Sequence, residues 1–459
     1  MKKIPLLAFV LFYLVIGVKA QYSVLLNFTG TNGSRPWGSP ILVDGKLYGM
    51  TQFGGAKGMG IVFSVDTLGN YYKDLLDFDS ANGRAPQGSL VESQGKLYGM
   101  TQRGGANNLG CIFSMDTDGA GYKRLFDFTS STGLCPFGTL TLSGNVLYGL
   151  LYGGAGGGRG CIFSIHTDGS AFKDLHDFSG GDGDVPTGSL ALSNGMLYGM
   201  TPIGGMYNYG DVFSIDTNGN FFSDIFDFDN TNGAQGNDGV IVLGSRLFGM
   251  NYMGGTYNSG RLFSMETNGS AYRDLMDFNG INGQFPWGRL LFADGYFFGL
   301  ASLGGVNGYG CIFSVDSAGN NYTDLHDCTI ATGNNPFGNL VRSGQNLYGM
   351  DYIGGANDSG VVFKYTDVTM GLKKVNMEVS DLEVYPNPSN GSVTLQSSTV
   401  GGPWTVAIYN ELGQQVFTKT GTGILNEKIN TESFASGIYS VRVQTQSTIS
   451  VTKLMVLQR

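Results

Sequence analysis

The sequence predicts an all-β protein: a seven-bladed β-propeller of four-stranded, 50-residue blades, its ring closed by the N-terminal strand, followed by a small β-sandwich. Three observations carry this expectation. The segment from Tyr22 to Thr366 repeats itself every 50 residues without a net insertion. Each copy holds four short strand-like runs split by turn residues, and no segment keeps a 3.6-residue period. The chain enters the array on a lone strand of the fourth type and leaves it after one of the third type, so the first fragment supplies what the last copy lacks. A closed ring leaves only short, protected edges. A solenoid would need capping repeats with polar outer faces, and the sequence shows none.

The N-terminus reads Met1-Lys2-Lys3, an apolar run from Ile4 to Val18, then Val18-Lys19-Ala20. This is the pattern of a secretory signal peptide cut after Ala20, so residues 1–20 are assigned to it. The run falls short of the ~20 residues that span a bilayer. No Cys follows the cut, which argues against a lipid anchor, and no transmembrane segment is expected in the mature chain.

Residues 21–366 form the array. Leu-Tyr-Gly-Met stands at 47–50, 97–100 and 347–350, with variants at 147–150, 197–200, 247–250 and 297–300. Phe63, Phe113, Phe163, Phe213, Phe263, Phe313 and Phe363 share one register, and Asp-Phe recurs at 77, 127, 177, 227 and 277. Asn27-Phe28 and Asp327-Cys328 are its variants. In the second copy strand A is expected over 88–93, B over 96–102, C over 111–116 and D over 122–128. Asn194-Gly195 and Asn218-Gly219 suit tight hairpin turns. Diglycines such as Gly54-Gly55 end strand B, where the chain needs positive φ. Kelch propellers share the diglycine, but their Tyr-then-Trp spacing is missing here.

Taken together, Leu-Tyr-Gly-Met-Thr, the diglycine, Gly-x-(Ile/Val)-Phe-Ser, Leu-x-Asp-Phe and Asn-Gly-x-x-Pro resemble the GloVer-type tandem repeat of secreted bacterial proteins. The resemblance implies location more than activity. Residues 367–381 read as a linker and 382–459 as a small β-sandwich. Tyr385-Pro386-Asn387-Pro388-Ser-Asn-Gly391, Tyr409 to Gln414 with Gly413, and Ser436-Gly437-Ile-Tyr439 resemble the type A C-terminal sorting domain of the type IX secretion system. The resemblance implies that secretion machinery as a partner, and an extracellular or outer-surface destination. A carbohydrate-binding or immunoglobulin-like sandwich is the alternative.

Net charge is −9, which disfavours a nucleic-acid partner. Five cysteines are too few and odd in number for a disulfide framework. Cys111, Cys161 and Cys311 share one repeat position and read as small buried hydrophobes, with a single Cys311–Cys328 disulfide as the alternative. His166, His176 and His326 have no zinc spacing, and neither a nucleophile elbow nor a phosphate-cradling loop occurs. No catalytic or metal-binding residue is assigned. Asp77, Asp127, Asp177, Asp227, Asp277 and Asp327 recur too regularly for catalysis, and read as acceptors for the turn that follows them. A calcium ring is the alternative. Asp182 and Asp184 lack an EF-hand pattern. No cofactor is expected, calcium being the open exception, and a monomer is expected.

Function concentrates on long loops held by a rigid scaffold. The B-to-C and D-to-A connections are long and belong to one end of the ring. Just before strand A, near the channel, one position reads Trp37, Gln87, Phe137, Thr187, Asn237, Trp287 and Phe337. The B-to-C loops add Tyr207, Tyr209, Tyr257 and Tyr309, beside Asn107, Asn108, Asn208, Asn258 and Asn307. Aromatic faces beside amides suit a sugar or peptide. The candidate ligand-binding residues are therefore Trp37, Phe137, Trp287, Phe337, Tyr207, Tyr209, Tyr257 and Tyr309. The alternative is that the aromatics plug the channel mouth. A secreted, non-enzymatic binding or scaffold module for a glycan or protein is expected. A purely structural surface protein and a polysaccharide-active enzyme are the rivals.

Overall fold

The computed structural model describes residues 21–366, 382–397, 402–410, 415–445 and 449–457. The expected signal peptide, the linker and Gly413 lie outside these residues. The chain divides into two compact units, Met1–Val368 and Thr369–Arg459.

Among the described residues every regular element is a strand. The first unit holds seven antiparallel four-stranded sheets, giving it a propeller-like architecture. In the second repeat the order A, B, C, D is Val91–Ser93, Lys96–Thr101, Cys111–Asp116 and Lys123–Asp127. Strand A is shorter than expected because Gly88 and Ser89 are spent on contacts to the neighbouring repeat, described below. Six sheets use consecutive strands. The seventh takes Val341–Ser343, Asn346–Asp351 and Val361–Thr366, then the N-terminal strand Gln21–Asn27. The pairing runs antiparallel from Gln21 opposite Thr366 to Asn27 opposite Val361, with a bulge between Val24 and Leu26.

The motifs acquire physical reasons in this frame. Gly49 lies directly opposite Phe63 on the next strand. A Cβ on Gly49 would come within 2.7 Å of the Phe63 ring. The same encounter recurs at each Gly of the Leu-Tyr-Gly-Met series, from Gly99 on Phe113 to Gly349 on Phe363. The glycine is there so that an aromatic ring can lie flat across its strand. The Asp-Phe motif supplies the partner ring. Phe78 meets Phe113 edge-on at 5.5 Å, Phe128 meets Phe163 at 5.6 Å, and Phe228 meets Phe263 at 5.3 Å. Each pair joins the end of one sheet to strand C of the next, at the geometry aromatic quadrupoles prefer. Phe28, from the N-terminal strand, meets Phe63 in the same way at 5.2 Å. These rings are fully buried.

The five cysteines are free thiols, so the Cys311–Cys328 disulfide is not formed. Cys311 pairs with Asp327 across the strands, and Cys328 sits one residue beyond, in the place of the motif Phe.

The second unit stacks a three-stranded sheet (Glu383–Tyr385, Ser392–Ser397, Leu425–Asn430) on a four-stranded one, ordered Gln415–Thr422, Pro403–Tyr409, Gly437–Thr445, Ile449–Val456. Val393, Leu395, Leu425 and Ile429 from one sheet share a core with Val406, Ile408, Val441 and Leu454 from the other. This is the expected sandwich.

Candidate functional site

The two long connections are stitched together. In each repeat one D-to-A loop residue takes positive φ and donates its N–H to the B-to-C loop of the preceding repeat. Examples are Ala85 to Met59 O at 2.9 Å, Gln235 to Tyr209 O at 2.9 Å and Asn335 to Tyr309 O at 3.1 Å. Arg35 closes the series by donating to Ser359 O at 2.8 Å. Both loop sets thus lie at one end.

The recurring aspartates are structural, by a different route from the one expected. Asp77 Oδ1 accepts the N–H of Ala56 at 2.6 Å, Asp127 that of Ala106 at 2.8 Å and Asp327 that of Val306 at 2.7 Å. They brace the B-to-C loop upstream rather than the turn that follows. Asn27 does the same for Ala356 at 2.8 Å.

The residues just before strand A meet in a single recess, lined in part by Trp37, Gln87, Phe137, Thr187, Asn237, Trp287 and Phe337. Its backbone is a chain of close approaches. A Cβ on Gly38 would lie 2.4 Å from Gly88 O, one on Gly88 2.2 Å from Gly138 O, and one on Gly338 2.5 Å from Gly38 O. The next residue in each repeat links sideways. Ser39 N–H donates to Ser89 Oγ at 2.8 Å, Ser89 to Thr139 Oγ1 at 2.9 Å and Thr139 to Ser189 Oγ at 3.1 Å. Ser189 donates to Asp238 Oδ1 at 3.0 Å, and Arg289 and Asn339 continue the belt through Asn339 Oδ1 and Ser39 Oγ. The belt breaks once, between Gly239 and Arg289. A guanidinium cannot accept a hydrogen bond, so Gly239 N–H turns to Asp238 Oδ1 at 2.7 Å.

The aromatics of the recess pack on one another. Trp37 stacks on Phe337 at 4.6 Å and meets Trp287 edge-on at 5.5 Å. Tyr352 packs edge-on against Trp37 at 5.2 Å, and Tyr252 against Trp287 at 5.2 Å. Phe137 stands apart, against Tyr152 at 5.3 Å. All four expected aromatics are half-buried. The recess as a whole has about 30 Å³ of free volume, room for about two waters. The opposite side is polar: Thr187 Oγ1 donates to Asn237 O at 2.8 Å, while Gln87 Oε1 is buried without a partner. Tyr152, Tyr252 and Tyr352 escaped the sequence reading. They share one register just past strand B, well separated in sequence from the pre-A position.

Tyr207, Tyr209, Tyr257 and Tyr309 do not line this recess. They stand outward on the B-to-C loops of the fourth, fifth and sixth repeats, 53%, 41%, 59% and 37% exposed. Met206 and Val306 are exposed beside them. The neighbouring amides are partly engaged: Asn208 and Asn258 Oδ1 accept the N–H groups of Gly204 and Gly254, and Asn307 Nδ2 donates to Cys328 O, as Asn107 does to Phe128 O in the second repeat.

Among the described residues one group has three metal-ligating atoms within 4.8 Å of one another, Cys161, Asp174 and Asp177. In the fifth repeat the matching niche holds Arg261, paired to Asp277 at 2.7 Å and Asp274 at 2.9 Å.

In the second unit the sorting-motif residues are structural anchors. Asn387 Nδ2 donates to Lys453 O at 2.8 Å, and its Oδ1 accepts from Met455 N–H at 2.8 Å. Tyr385 donates to Gln396 at 2.8 Å and Tyr439 to Ala435 O at 2.8 Å. Pro386 and Pro388 each follow a cis peptide bond. Gly391 takes φ of 102°, and its carbonyl accepts from Thr431 N–H at 2.9 Å. Gly437 begins the strand Gly437–Thr445.

Comparison with known proteins bears on both units. The Gloeobacter/Verrucomicrobia repeat matches residues 10–201, 143–272 and 192–401. The secretion system C-terminal sorting domain matches residues 383–457. No curated protein matches the chain. Among solved structures, a europium-containing methanol dehydrogenase is 10% identical over 75% of this chain and 93% of its own, with a TM-score of 0.48. A putative 6-phosphogluconolactonase from Bacteroides fragilis NCTC 9343 is 14% identical over 85% and 99%, with a TM-score of 0.44. A nidogen/laminin complex chain is 12% identical over 72% and 91%, with a TM-score of 0.37. Likenesses this distant say nothing of what this chain does.

Proposed function

The chain belongs to the Gloeobacter/Verrucomicrobia repeat family and ends in a secretion system sorting domain, and from that premise we infer that it is an exported, non-enzymatic binding scaffold. Its body is a seven-bladed propeller in which the N-terminal strand completes the seventh blade. Two features support closure: the strand register of Gln21–Asn27, and the belt that returns from Asn339 to Ser39. The type IX machinery carries it out by the C-terminal domain, to the medium or the outer surface.

The observation that carries the binding reading is the run of exposed tyrosines on three successive repeats. Tyr207, Tyr257 and Tyr309 offer rigid amphipathic area at low entropic cost, the kind that anchors recognition surfaces. Their backbone is already fixed by the loop stitching. With exposed Met206 and Val306 alongside, a protein ligand fits this arc better than a glycan.

The test is capture by the full secreted chain on a glycan array and on whole bacterial cells, with and without calcium. Saturable capture that Tyr207→Ala/Tyr257→Ala/Tyr309→Ala weakens at least tenfold, at an unchanged melting temperature, supports the reading. A second reading, a purely structural surface protein, is favoured by the self-packed aromatics of the recess. A blank from well-folded protein on both supports would decide for it.

A further inference from the structure

The seam between the N-terminal strand and the seventh sheet holds a fully buried acid, Asp351, against a tyrosine hydroxyl. In four other repeats a tyrosine at the start of strand D ties its sheet to the preceding one, while the third and fourth carry Phe172 and Phe222 there. Tyr72 Oη donates to Asn32 O at 3.1 Å, Tyr122 to Asn82 O at 2.5 Å, Tyr272 to Asn232 O at 2.5 Å and Tyr322 to Asn282 O at 3.0 Å. Tyr22 stands in the same register, 3.1 Å from Thr332 O. Its hydroxyl is also 3.0 Å from Asp351 Oδ2.

Counting protons decides who donates. A phenol has one hydrogen to give. A backbone carbonyl can only accept, so if Tyr22 makes the tie its four counterparts make, its hydrogen is used on Thr332. The contact with Asp351 is then a hydrogen bond only if the carboxyl supplies the proton. The surroundings agree. Asp351 is fully buried and its Oδ1 has no partner. The titratable groups facing it are Tyr22 and Cys328, the latter in turn neighboured by Cys311, Asp324 and Asp327. His326 stacks on Tyr22 at 3.9 Å, and burial lowers its pKa, so it is uncharged at neutral pH. No cation stands by to favour a carboxylate. The fourth repeat repeats the logic: Thr201 Oγ1 is 3.0 Å from Ile203 O and 3.0 Å from Asp211 Oδ1, whereas Thr51 has only the carbonyl, Phe53 O, at 2.8 Å.

We propose that Asp351 is a neutral carboxylic acid in the folded protein, donating its proton to the Tyr22 phenol oxygen, and that this bond is a pH-sensitive latch on the N-terminal strand. Burial lifts the Asp351 carboxyl to about 7, against ~3.9 when the strand is out and the group is solvated. A raised carboxylate pKa stabilises the closed form fully below the solvated value, and that stabilisation is lost as pH rises through the folded one. The latch is therefore tightest in acid. Strand opening therefore rises at least tenfold as pH is raised from 5 through the folded value, and levels off above it.

The test is hydrogen exchange of residues 21–27 in the full chain, corrected for intrinsic rates, from pH 5 to pH 9. The wild type is expected to lose protection over pH 5–7, and Asp351→Asn, whose amide donates at every pH, to exchange at a pH-independent rate. Because the proposal rests on the closing strand, the outcomes separate. Residues 21–27 unprotected at every pH would overturn closure itself. Protection with no pH dependence, or the same slope in Asp351→Asn, would overturn the latch alone. Should Asp351→Asn not fold, the carboxyl carbon shift of Asp351 in aspartate-labelled wild type decides, since titration near 4 contradicts the proposal.

Discussion

Gly49 and Phe63 face each other across one strand pair, and a methyl on the glycine has no free direction. Gly49→Ala is expected to cost about 1–3 kcal/mol, the usual range for overpacking a filled site, read by chemical denaturation. Unchanged stability would mean that the Phe63 ring swings aside. Burial pushes the thiols of Cys111 up to about 11 and Cys311 up to about 12, and those of Cys161 and Cys328 upward as well. Thiols held protonated and covered are inert. A disulfide exchange reagent at pH 7.5 should find only half-buried Cys135 in native protein, slowly, and all five on unfolding. At this scale the sequence was legible where a residue recurs at 50. The pre-A position was found because one register collected two of the three tryptophans. Its packing partners, Tyr252 and Tyr352, come from strand B, and only the fold brings those two registers together. The Leu-Tyr-Gly-Met glycine was visible as a motif, but its reason needed the opposing ring.

The strands of the array were legible because short apolar runs alternate with turn dipeptides. Strand C of the second repeat was bounded correctly, while strand A was overrun by three residues. The overrun residues Gly88-Ser89-Leu90 look strand-like, but Gly88 and Ser89 face the next repeat and pair sideways. In the sandwich, the strand Leu425–Asn430 carries little signal in the sequence. Only Leu425 and Ile429 point inward from it, and the rest is polar, so its alternation is too sparse to read. The long-loop end holds two kinds of aromatic element with different expected behaviour. Trp37→Ala with Trp287→Ala removes half-buried, mutually packed rings, and each is expected to cost roughly 2–4 kcal/mol. The thermal melt of the double variant should fall well below wild type. An unchanged melt would show that the rings are held open for a ligand instead.

For the whole molecule, the repeat explains both regularity and exception. Positions alike in every copy build strand pairs, ring contacts and loop braces. Positions that differ are the exposed tyrosines, the gap in the belt at Arg289 and the acid at the seam. The acid takes its meaning from the proposed closure, in which the first strand completes the last sheet. That claim is most directly tested by a covalent bond across the seam. Ser23 lies directly opposite Lys364, so Ser23→Cys with Lys364→Cys places two thiols at cross-strand distance. The account predicts that the native full chain, on mild oxidation, forms this disulfide in high yield, migrates as a compact species without reductant and melts higher than its reduced form. If both introduced thiols stay reactive in the folded chain under oxidising conditions, the N-terminal strand is not the fourth strand of the seventh sheet.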